Sequence, residues 1–394
     1  MDNLYSHKLN EQHNERRCDV KQKTNMLGEA ILAIKDVYRH RRGYEIPAAI
    51  LDTLDALYPT DKPRILLIRK GIKRTETGWH MIFTLRPGTS FNTLKSQQDY
   101  FEDATGMNVE MTKHGKFLNI NINTNEIPKK LEYSWDYSGD IDLPVPIGVS
   151  RQGLEVLPLE ESPHLLIAGV PGFGKSNFLH VLINSLLPVA KIGIIDLKRL
   201  EFAYLNDYAA LARTEEEALL LMKSIERGME QRIGILEKAK VVKIQDYDKK
   251  AKEPLPFIVV VIDELAEISC KDTIKLIDRI TRLARAVGIS VVAATQRPST
   301  KVLPGDTRAM FQARLCFQVA DELNSRMVLG ETCSIAAHLP GIKGRAIYKF
   351  GMDTKEVQTM HLPVKQAKNL LKGRDMDVFN EWCNVAPKQR LLPR

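Results

Sequence analysis

The residues best suited to chemistry lie in a glycine-rich run that joins a short apolar segment to an amphipathic one. From Gly169 to Ser176 the sequence reads GVPGFGKS, which fits the phosphate-binding pattern G-x-x-x-x-G-K-[ST]. Glycines allow the backbone to wrap a polyphosphate with its N–H groups pointing inward, and the start of the following helix adds a partial positive charge. In this pattern Lys175 reaches the β- and γ-phosphates of ATP and Ser176 binds Mg²⁺. The predicted nucleotide-binding residues are Gly169, Val170, Pro171, Gly172, Phe173, Gly174, Lys175, Ser176 and Asn177.

Two adjacent carboxylates follow a second apolar run. Residues 258–262 read IVVVI, and Asp263 and Glu264 come directly after them. Continuous apolar runs of this kind are typical of strands that are buried on both faces, and ligands of open α/β sheets bind at the carboxyl ends of such strands. We therefore predict that Asp263 binds Mg²⁺, directly or through water, and that Glu264 polarises the water that attacks the γ-phosphate.

A third strand end and a group of arginines complete the candidate catalytic set. Gln296 follows an apolar strand and is predicted to sense the γ-phosphate or to orient water, and residues 196–199, DLKR, face the same edge. An arginine often completes the charge balance of phosphoryl transfer. Spacing alone does not choose among the candidates, which are Arg279, Arg282 and Arg285 on one predicted helix, followed by Arg314 and Arg326.

The elements that must position these residues alternate between apolar strands and amphipathic helices after residue 150. This alternation predicts an α/β fold with a mostly parallel sheet and helices on both faces. The predicted strands are Leu165–Ala168, Ile192–Asp196, Ile258–Ile262, Ser290–Ala294, Ala313–Val319 and Gly344–Lys349. Prolines and glycines between residues 125 and 150 indicate a boundary before this region.

The region before that boundary is predicted to be a small α+β domain. Residues 64–124 read as ββαββ, with a linker at Lys70–Gly78 between the first two strands and one helix at Ser90–Ala104. Ahead of it we expect a polar arm, a helix at Thr24–Arg39 that ends in a basic cluster, and a second helix at Ala48–Tyr58. A further helix is expected near Val364–Leu371.

Composition excludes several classes of protein. The chain has 394 residues, a formal net charge of +8, and ordinary apolar and charged contents of 44% and 27%. It lacks an apolar run of about 18 residues and its start is polar, so we expect no membrane span and a cytoplasmic protein. Its five cysteines are scattered without a C-x-x-C pair, which argues against a zinc site or a disulfide framework. The positive charge permits nucleic-acid binding without proving it.

Several motifs together resemble the FtsK/SpoIIIE family of DNA translocases. The similarity covers about residues 145–350, and the small domain that precedes them resembles the family more weakly. The stretches that carry it, in family order, are SPHLLIAGVPGFGKSNFLHVLINSLL, IIDLKRLEF, MEQRIGILEKAKVVKIQDYDK, PFIVVVIDELAEI, LARAVGISVVAATQRPS and SRMVLGE.

This resemblance implies a RecA-like P-loop NTPase motor that works as a hexameric ring around double-stranded DNA. Because the nucleotide of such a ring lies between subunits, the arginine would act in trans, and Arg279 and Arg285 fall where the family carries arginines. Lys301 and Arg308 fall in the segment that faces DNA in the pore. The implied organisation has an N-terminal arm with helices at 1–62, a small α+β domain at 63–127, the motor at 145–361 and a tail at 362–394.

The departures from the family keep alternatives open. No membrane anchor is visible, and the residues after His361 are too few for the family's winged-helix DNA reader. The leading hypothesis is an ATP-driven translocase on double-stranded DNA that serves the transfer or segregation of plasmid or mobile-element DNA. It would have a membrane or transfer-complex partner. A coupling protein that delivers DNA to a conjugation channel is a close variant. The alternative from another class is a nucleotide-gated DNA-binding or replication-initiation factor, in which ATP controls assembly and not movement.

Overall fold

The protein divides into two compact units, residues 1–126 and 127–394. The structure is a computed structural model, and it describes residues 44–57, 65–75, 77–85, 90–199, 201–249, 251–296, 298 and 305–372. The predicted N-terminal arm, the helix at Thr24–Arg39 and its basic end lie outside the described residues.

The first unit is a four-stranded antiparallel sheet with helices packed against its apolar face. Its strands occur in the order β1-β2-β4-β3, and on β2 the side chains alternate, so that Trp79, Met81 and Phe83 are buried. The elements are α1 (Glu45–Leu57), β1 (Ile65–Thr75), β2 (Gly78–Leu85), α2 (Phe91–Lys95), α3 (Gln98–Thr105), β3 (Asn108–His114) and β4 (Phe117–Asn123).

The strand and helix order predicted for this unit is confirmed, with two corrections. The linker predicted at Lys70–Gly78 is wrong, because β1 continues to Thr75, which pairs with Gly78 at the start of β2. The basic residues of that segment suggested a loop, but a strand at the edge of a sheet tolerates charged side chains. The helix predicted at Ser90–Ala104 is broken into α2 and α3 by a turn at Ser96 and Gln97.

The second unit is built on a ten-stranded sheet with the order β6-β5-β14-β13-β12-β7-β11-β10-β8-β9. Its strands are β5 (Pro144–Ser150), β6 (Gly153–Pro158), β7 (His164–Ala168), β8 (Ala190–Ile195), β9 (Ala210–Ala212), β10 (Phe257–Ile262), β11 (Ile289–Thr295), β12 (Ala313–Phe317), β13 (Arg345–Phe350) and β14 (Asp353–Gln358). The six strands from β12 to β9 are parallel, and the others are antiparallel.

The predicted mostly parallel sheet is therefore confirmed, and all six predicted strands are present. Strand β12 ends at Phe317, two residues before the predicted end. The sequence analysis missed β5, β6, β9 and β14. Strand β11 lies between β7, which leads into the glycine-rich loop, and β10, which leads into Asp263, so the predicted catalytic groups share one edge of the sheet.

Helices cover both faces of the parallel strands because alternate side chains of each strand belong to different hydrophobic clusters. On β7, Leu166 belongs to one cluster and Leu165 and Ile167 to the other. The helices of this unit are α4 (Lys175–Leu186), α5 (Glu215–Ala239), α6 (Ile244–Asp248), α7 (Lys271–Leu283), α8 (Gly305–Met310), α9 (Glu322–Leu329) and α10 (Val364–Leu371). No helix in the described ranges is long and apolar enough to cross a membrane.

The segment that precedes β5 and the segment that follows β14 meet at the surface of α4. The N–H of Tyr133 donates to the carbonyl of His361 at 3.1 Å, and the N–H of His361 donates to the carbonyl of Leu131 at 2.6 Å. Leu131 and Tyr133 pack with Val181 of α4 in a small cluster. This brings the segment before β5 and the segment after β14 together, next to the helix that follows the glycine-rich loop.

A buried histidine begins the strand that leads into this loop. His164 is 2% exposed, its Nδ1 accepts a hydrogen bond from the N–H of Val291 at 3.1 Å, and its ring meets the edge of Phe311 at a centroid distance of 5.8 Å. Burial lowers the pKa of His164 from 6.5 to about 4. The ring is therefore neutral in the folded protein at pH 7. Below that pH the unfolded chain binds a proton at this histidine more readily than the folded chain does.

We predict that the stability contributed by neutral His164 is complete above pH 6.5 and is lost as the pH falls from 6.5 towards 4. At pH 5 the loss is on the order of 2 kcal/mol, because one pKa unit corresponds to about 1.4 kcal/mol. Urea unfolding at pH 7 and pH 5 measures it. His164→Asn, which keeps an acceptor for Val291, should remove this part of the pH dependence, whereas His338→Asn on the surface should not. An unchanged slope in His164→Asn contradicts the prediction.

Candidate nucleotide-binding site

The glycine-rich loop between β7 and α4 is held by backbone contacts to residues that directly follow β12 and directly precede β13. The N–H of Val170 donates to the carbonyl of Gln318 at 2.9 Å, and the carbonyl of Phe173 accepts from the N–H of Gly344 at 2.9 Å. Gly174 has φ +122°, and a Cβ atom there would lie 3.1 Å from the Phe317 ring and 3.2 Å from the backbone of Gly344. Glycine is therefore required at this position by both conformation and space.

Phe173 has a structural explanation. The sequence pattern usually has a small or polar residue here, yet the Phe173 side chain is partly buried and packs against the hydrophobic cluster below the loop. Pro171 and Gly172 at the tip of the loop are exposed.

Lys175 is the first residue of α4 and is 7% exposed. Burial lowers the pKa of Lys175, while the nearby carboxylates of Glu264 and Asp263 favour its charged form. A desolvated ammonium group gains most from an anion placed directly beside it. The arrangement therefore fits a polyphosphate bound in the loop, as predicted.

Asp263 follows β10 and is 8% exposed. Burial, and the neighbouring carboxylate of Asp196, raise its pKa to about 6, against the opposing effect of Lys198 and Lys175. Its N–H donates to the carbonyl of Ile195 at 3.1 Å, which fixes the residue at the strand end. A carboxylate with so little water around it is a fitting acceptor for a divalent cation, because the cation restores the favourable ionised state.

Glu264 lies at the centre of a hydrogen-bond network at the same edge. Its Oε1 accepts from the hydroxyl of Thr295 at 2.8 Å and from the N–H of Gln296 at 3.0 Å, and its Oε2 lies 3.0 Å from the same N–H. The Nζ of Lys198 is 3.4 Å from Oε2. The structure thus brings Glu264 and Gln296 together as expected, but the contact uses the backbone of Gln296.

Sequence reasoning missed Thr295 and the structural part that Asp196 plays at the same edge of the sheet. Asp196 is fully buried, and its two carboxylate oxygens accept from the N–H groups of Arg199 at 2.9 Å and Phe202 at 3.3 Å. It therefore shapes the loop after β8. The apolar run before Thr295 was the available signal, but a threonine at a strand end is too common to stand out.

The side chain of Asn177 is directed at protein backbone. Its Nδ2 donates to the carbonyl of Met360 at 2.6 Å, and its Oδ1 accepts from the N–H of Leu362 at 2.9 Å. The predicted contact of Asn177 with a nucleotide is therefore left to its backbone. The side chain instead fastens the segment after β14 to the end of the glycine-rich loop.

In the contacts observed, neither Arg279 nor Arg285 lies at the glycine-rich loop of its own chain. These are the two arginines expected to act in trans. Arg279 pairs with Glu226 and, at 2.7 Å, with Glu230, both on α5. Arg285 is exposed and lies beyond the end of α7, which corrects the prediction that one helix carries all three arginines. Arg285 acts electrostatically on His164, at the start of β7, whereas the loop follows the end of that strand about 16 Å away.

The remaining predicted cations differ in their surroundings. The Nη1 of Arg308 donates to the carbonyl of Met327 at 3.1 Å, and Arg308 is half-buried. Arg314 donates to the carbonyls of Phe311 and Val328 and therefore has a structural position. Arg326 pairs with Glu322 at 2.6 Å. Lys301 lies outside the described residues.

Comparison with known sequences gives one consistent result. Residues 132–300 match the sequence profile of the FtsK/SpoIIIE family. A DNA translocase FtsK from Borreliella burgdorferi is 36% identical over 218 residues, which is 50% of this chain and 28% of that protein. A DNA translocase FtsK from Treponema pallidum is 38% identical over 213 residues, 49% of this chain and 27% of that protein. The similarity thus spans about a quarter of the length of these relatives.

Solved structures support the fold over a longer range. The pCW3 conjugation coupling protein TcpA, determined as a monomer with ATPγS, superposes with a TM-score of 0.60 and 25% identity, covering 84% of this chain and 99% of that one. The cytoplasmic domain of the type VII secretion ATPase EccC from Thermomonospora curvata gives a TM-score of 0.53 and 25% identity, covering 61% and 32%. The predicted P-loop ATPase fold is confirmed.

We predict that Asn177→Ala loosens the segment after β14, because it removes both hydrogen bonds to residues 360 and 362. Hydrogen exchange of the Leu362 amide should become about tenfold faster or more, since the two lost hydrogen bonds contribute about 1 kcal/mol each and about 1.4 kcal/mol corresponds to tenfold. Asn206→Ala, at an exposed turn, is the matched control. Unchanged protection at Leu362 would mean that other contacts hold the segment.

Proposed function

Because this chain carries a domain of the FtsK/SpoIIIE family, we propose that it is an ATPase that uses ATP and Mg²⁺ to move along double-stranded DNA. The observation that carries the proposal is the convergence of Lys175, Asp263 and Glu264 at one edge of the parallel sheet. A phosphate-binding loop alone is compatible with binding. The added carboxylates, desolvated and held in place, are what hydrolysis requires.

Each of these groups has a defined task in the proposed reaction. Lys175 and the loop backbone bind the β- and γ-phosphates, and Ser176 and Asp263 hold the Mg²⁺, which neutralises phosphate charge when bound. Glu264 accepts a proton from, or orients, the attacking water. Thr295 and the N–H of Gln296 fix the orientation of the Glu264 carboxylate. Preorganisation of this kind is the main source of catalysis in phosphoryl transfer.

In this proposal the chain works as a ring of identical subunits, because an arginine that acts in trans must come from a neighbouring subunit. Arg285 lies towards the amino ends of the strands, opposite to its own loop, and it has no acidic partner among the described residues. It is therefore available to the nucleotide of a neighbouring subunit. Arg279 is already paired with two glutamates of α5 and is the second choice.

DNA contact is proposed for Lys301 and Arg308, in and after the segment that follows β11. The formal net charge of +8 favours association with a polyanion. Contacts of these cations with phosphates make binding weaker at higher salt and leave it without base specificity. Because Thr295 ends β11 and Gln296 follows it, the segment proposed to contact DNA is covalently continuous with the groups that hold Glu264.

A role in conjugative DNA transfer is the finer form of the proposal. The superposition on TcpA covers nearly all of that coupling protein and most of this chain, including residues outside the family-profile match. The coupling-protein variant is therefore favoured over a chromosome pump. A transfer-complex or membrane partner would then place the ring at a channel.

We predict that linear duplex DNA stimulates ATP hydrolysis by the full chain and that Glu264→Gln lowers hydrolysis at least about 100-fold while retaining ATP binding, because a general base contributes about that much. Steady-state phosphate release with and without duplex measures this, and displacement of a DNA triplex tests movement. Glu267→Gln, three residues further on and exposed, is the matched control. ATP binding without turnover that depends on DNA contradicts the motor and favours an assembly switch.

We also predict that Arg285→Ala lowers DNA-stimulated hydrolysis by about 10³-fold if it completes a neighbour's site. Mixing Arg285→Ala chains with Lys175→Ala chains should restore part of the activity, because a mixed ring pairs an intact loop with an intact arginine. Arg282→Ala, whose guanidinium pairs with Asp278 of its own helix at 3.0 Å, is the control. Absence of rescue on mixing argues against action in trans.

A further inference from the structure

Lys198 faces the proposed catalytic carboxylate, although it is not among the residues assigned to the reaction. Its Nζ lies 3.4 Å from the Oε2 of Glu264, whose side chain is 4% exposed, while 29% of the Lys198 side chain is exposed. A charge-assisted hydrogen bond between an ammonium group and a carboxylate is normally about 2.7–2.9 Å long. The two groups are therefore close enough to attract each other, but they are not locked together.

The backbone that presents Lys198 is fixed, in contrast to the end of its side chain. Lys198 lies in the turn after β8, where the carboxylate of fully buried Asp196 accepts from the N–H of Arg199 at 2.9 Å. Arg199 has φ +61°, a conformation that residues other than glycine keep only where the surrounding contacts hold it. The four-carbon stem of Lys198 can thus move its ammonium group while the backbone stays in place.

The donors around Glu264 leave Oε2 as the oxygen for the attacking water. Oε1 accepts from the hydroxyl of Thr295 at 2.8 Å and from the N–H of Gln296 at 3.0 Å, which uses its two lone pairs. Oε2 shares the Gln296 N–H, at 3.0 Å, and Lys198 is the second donor near it. A water that donates a proton to Glu264 therefore needs the place beside Oε2 that Lys198 takes.

Bound ATP would offer Lys198 a stronger partner nearby. A water activated by Glu264 lies about 2.6–3.2 Å from the carboxylate and about 3–3.5 Å from the phosphorus that it attacks, so the γ-phosphate is about 6 Å from Oε2. Burial lowers the pKa of Lys175, and the positive charge of Lys198 acts in the same direction, against the charges of Glu264 and Asp263. A phosphate between the two ammonium groups would relieve their repulsion.

We propose that Lys198 is a γ-phosphate-binding residue that changes partner when ATP binds, moving from the Oε2 of Glu264 to the γ-phosphate. The move adds a cation to the phosphate that is attacked, and it opens Oε2 to water. ADP has no γ-phosphate and leaves Lys198 paired with Glu264. Glu264 thus becomes available to water only when the group to be cleaved is bound. The inference rests on the proposed function, because it assumes that ATP binds in the glycine-rich loop.

The test compares the binding of ADP with that of ATPγS, measured by calorimetric titration of the full chain in the presence of Mg²⁺. For Lys198→Met we expect the affinity for ATPγS to fall about tenfold or more, because a charge-assisted hydrogen bond is lost, and the affinity for ADP to change less than about twofold. Lys198→Arg keeps the positive charge and should retain part of the preference for ATPγS. Lys223→Met, at an exposed position of α5, is the matched control and should bind both nucleotides as the wild type does.

The same titrations with Glu264→Gln separate contact with the γ-phosphate from shielding of the Glu264 charge. If Lys198 binds the γ-phosphate, adding Lys198→Met to Glu264→Gln still lowers ATPγS affinity about tenfold or more. A lysine that only neutralises Glu264 has no effect once that charge is removed, and this result overturns the proposal. An unchanged ratio of the two affinities in Lys198→Met also overturns it, while the ATPase function stands. A wild-type chain that binds neither nucleotide overturns both.

Discussion

The whole second unit depends on keeping charged groups out of water at the carboxyl edge of its sheet. Lys175, Asp263 and Glu264 are each less than a tenth exposed. Isolated charges at such depth are unfavourable, so each is surrounded by partners: carboxylates around the ammonium group, and donors around Glu264. The parallel strands make this possible because their ends bring backbone N–H groups and side chains from distant parts of the sequence to one place. A polyphosphate and a divalent cation would complete the balance of charge.

The part of this site that can be predicted from sequence is the part whose geometry is local. Gly169 to Ser176 and the pair Asp263–Glu264 are recognisable because loop conformation and strand end are determined by adjacent residues. Thr295 was not singled out, because its importance depends on which strand lies next to which. No periodicity in the sequence encodes a contact between Asn177 and Met360.

The fold shows the same division. The buried parallel strands were predicted because they are continuous apolar runs. Strand β5 carries Pro144 and Pro146, and β9 has only three residues, so neither resembles such a run. Strand β1 includes the charged stretch IRKGIKRT, which reads as a linker unless the edge position of the strand is known. In each case the neighbouring strand, and not the local sequence, decides the structure.

The two hydrogen bonds of the Asn177 side chain can form only late in the synthesis of the chain. Its partners follow it by 183 and 185 positions along the chain. At about 5–20 residues per second, a ribosome needs roughly 10–40 s to make the intervening chain. For that period the glycine-rich loop exists without the segment that secures its end. Partially synthesised chains therefore lack the two contacts that join the end of the glycine-rich loop to the segment after β14.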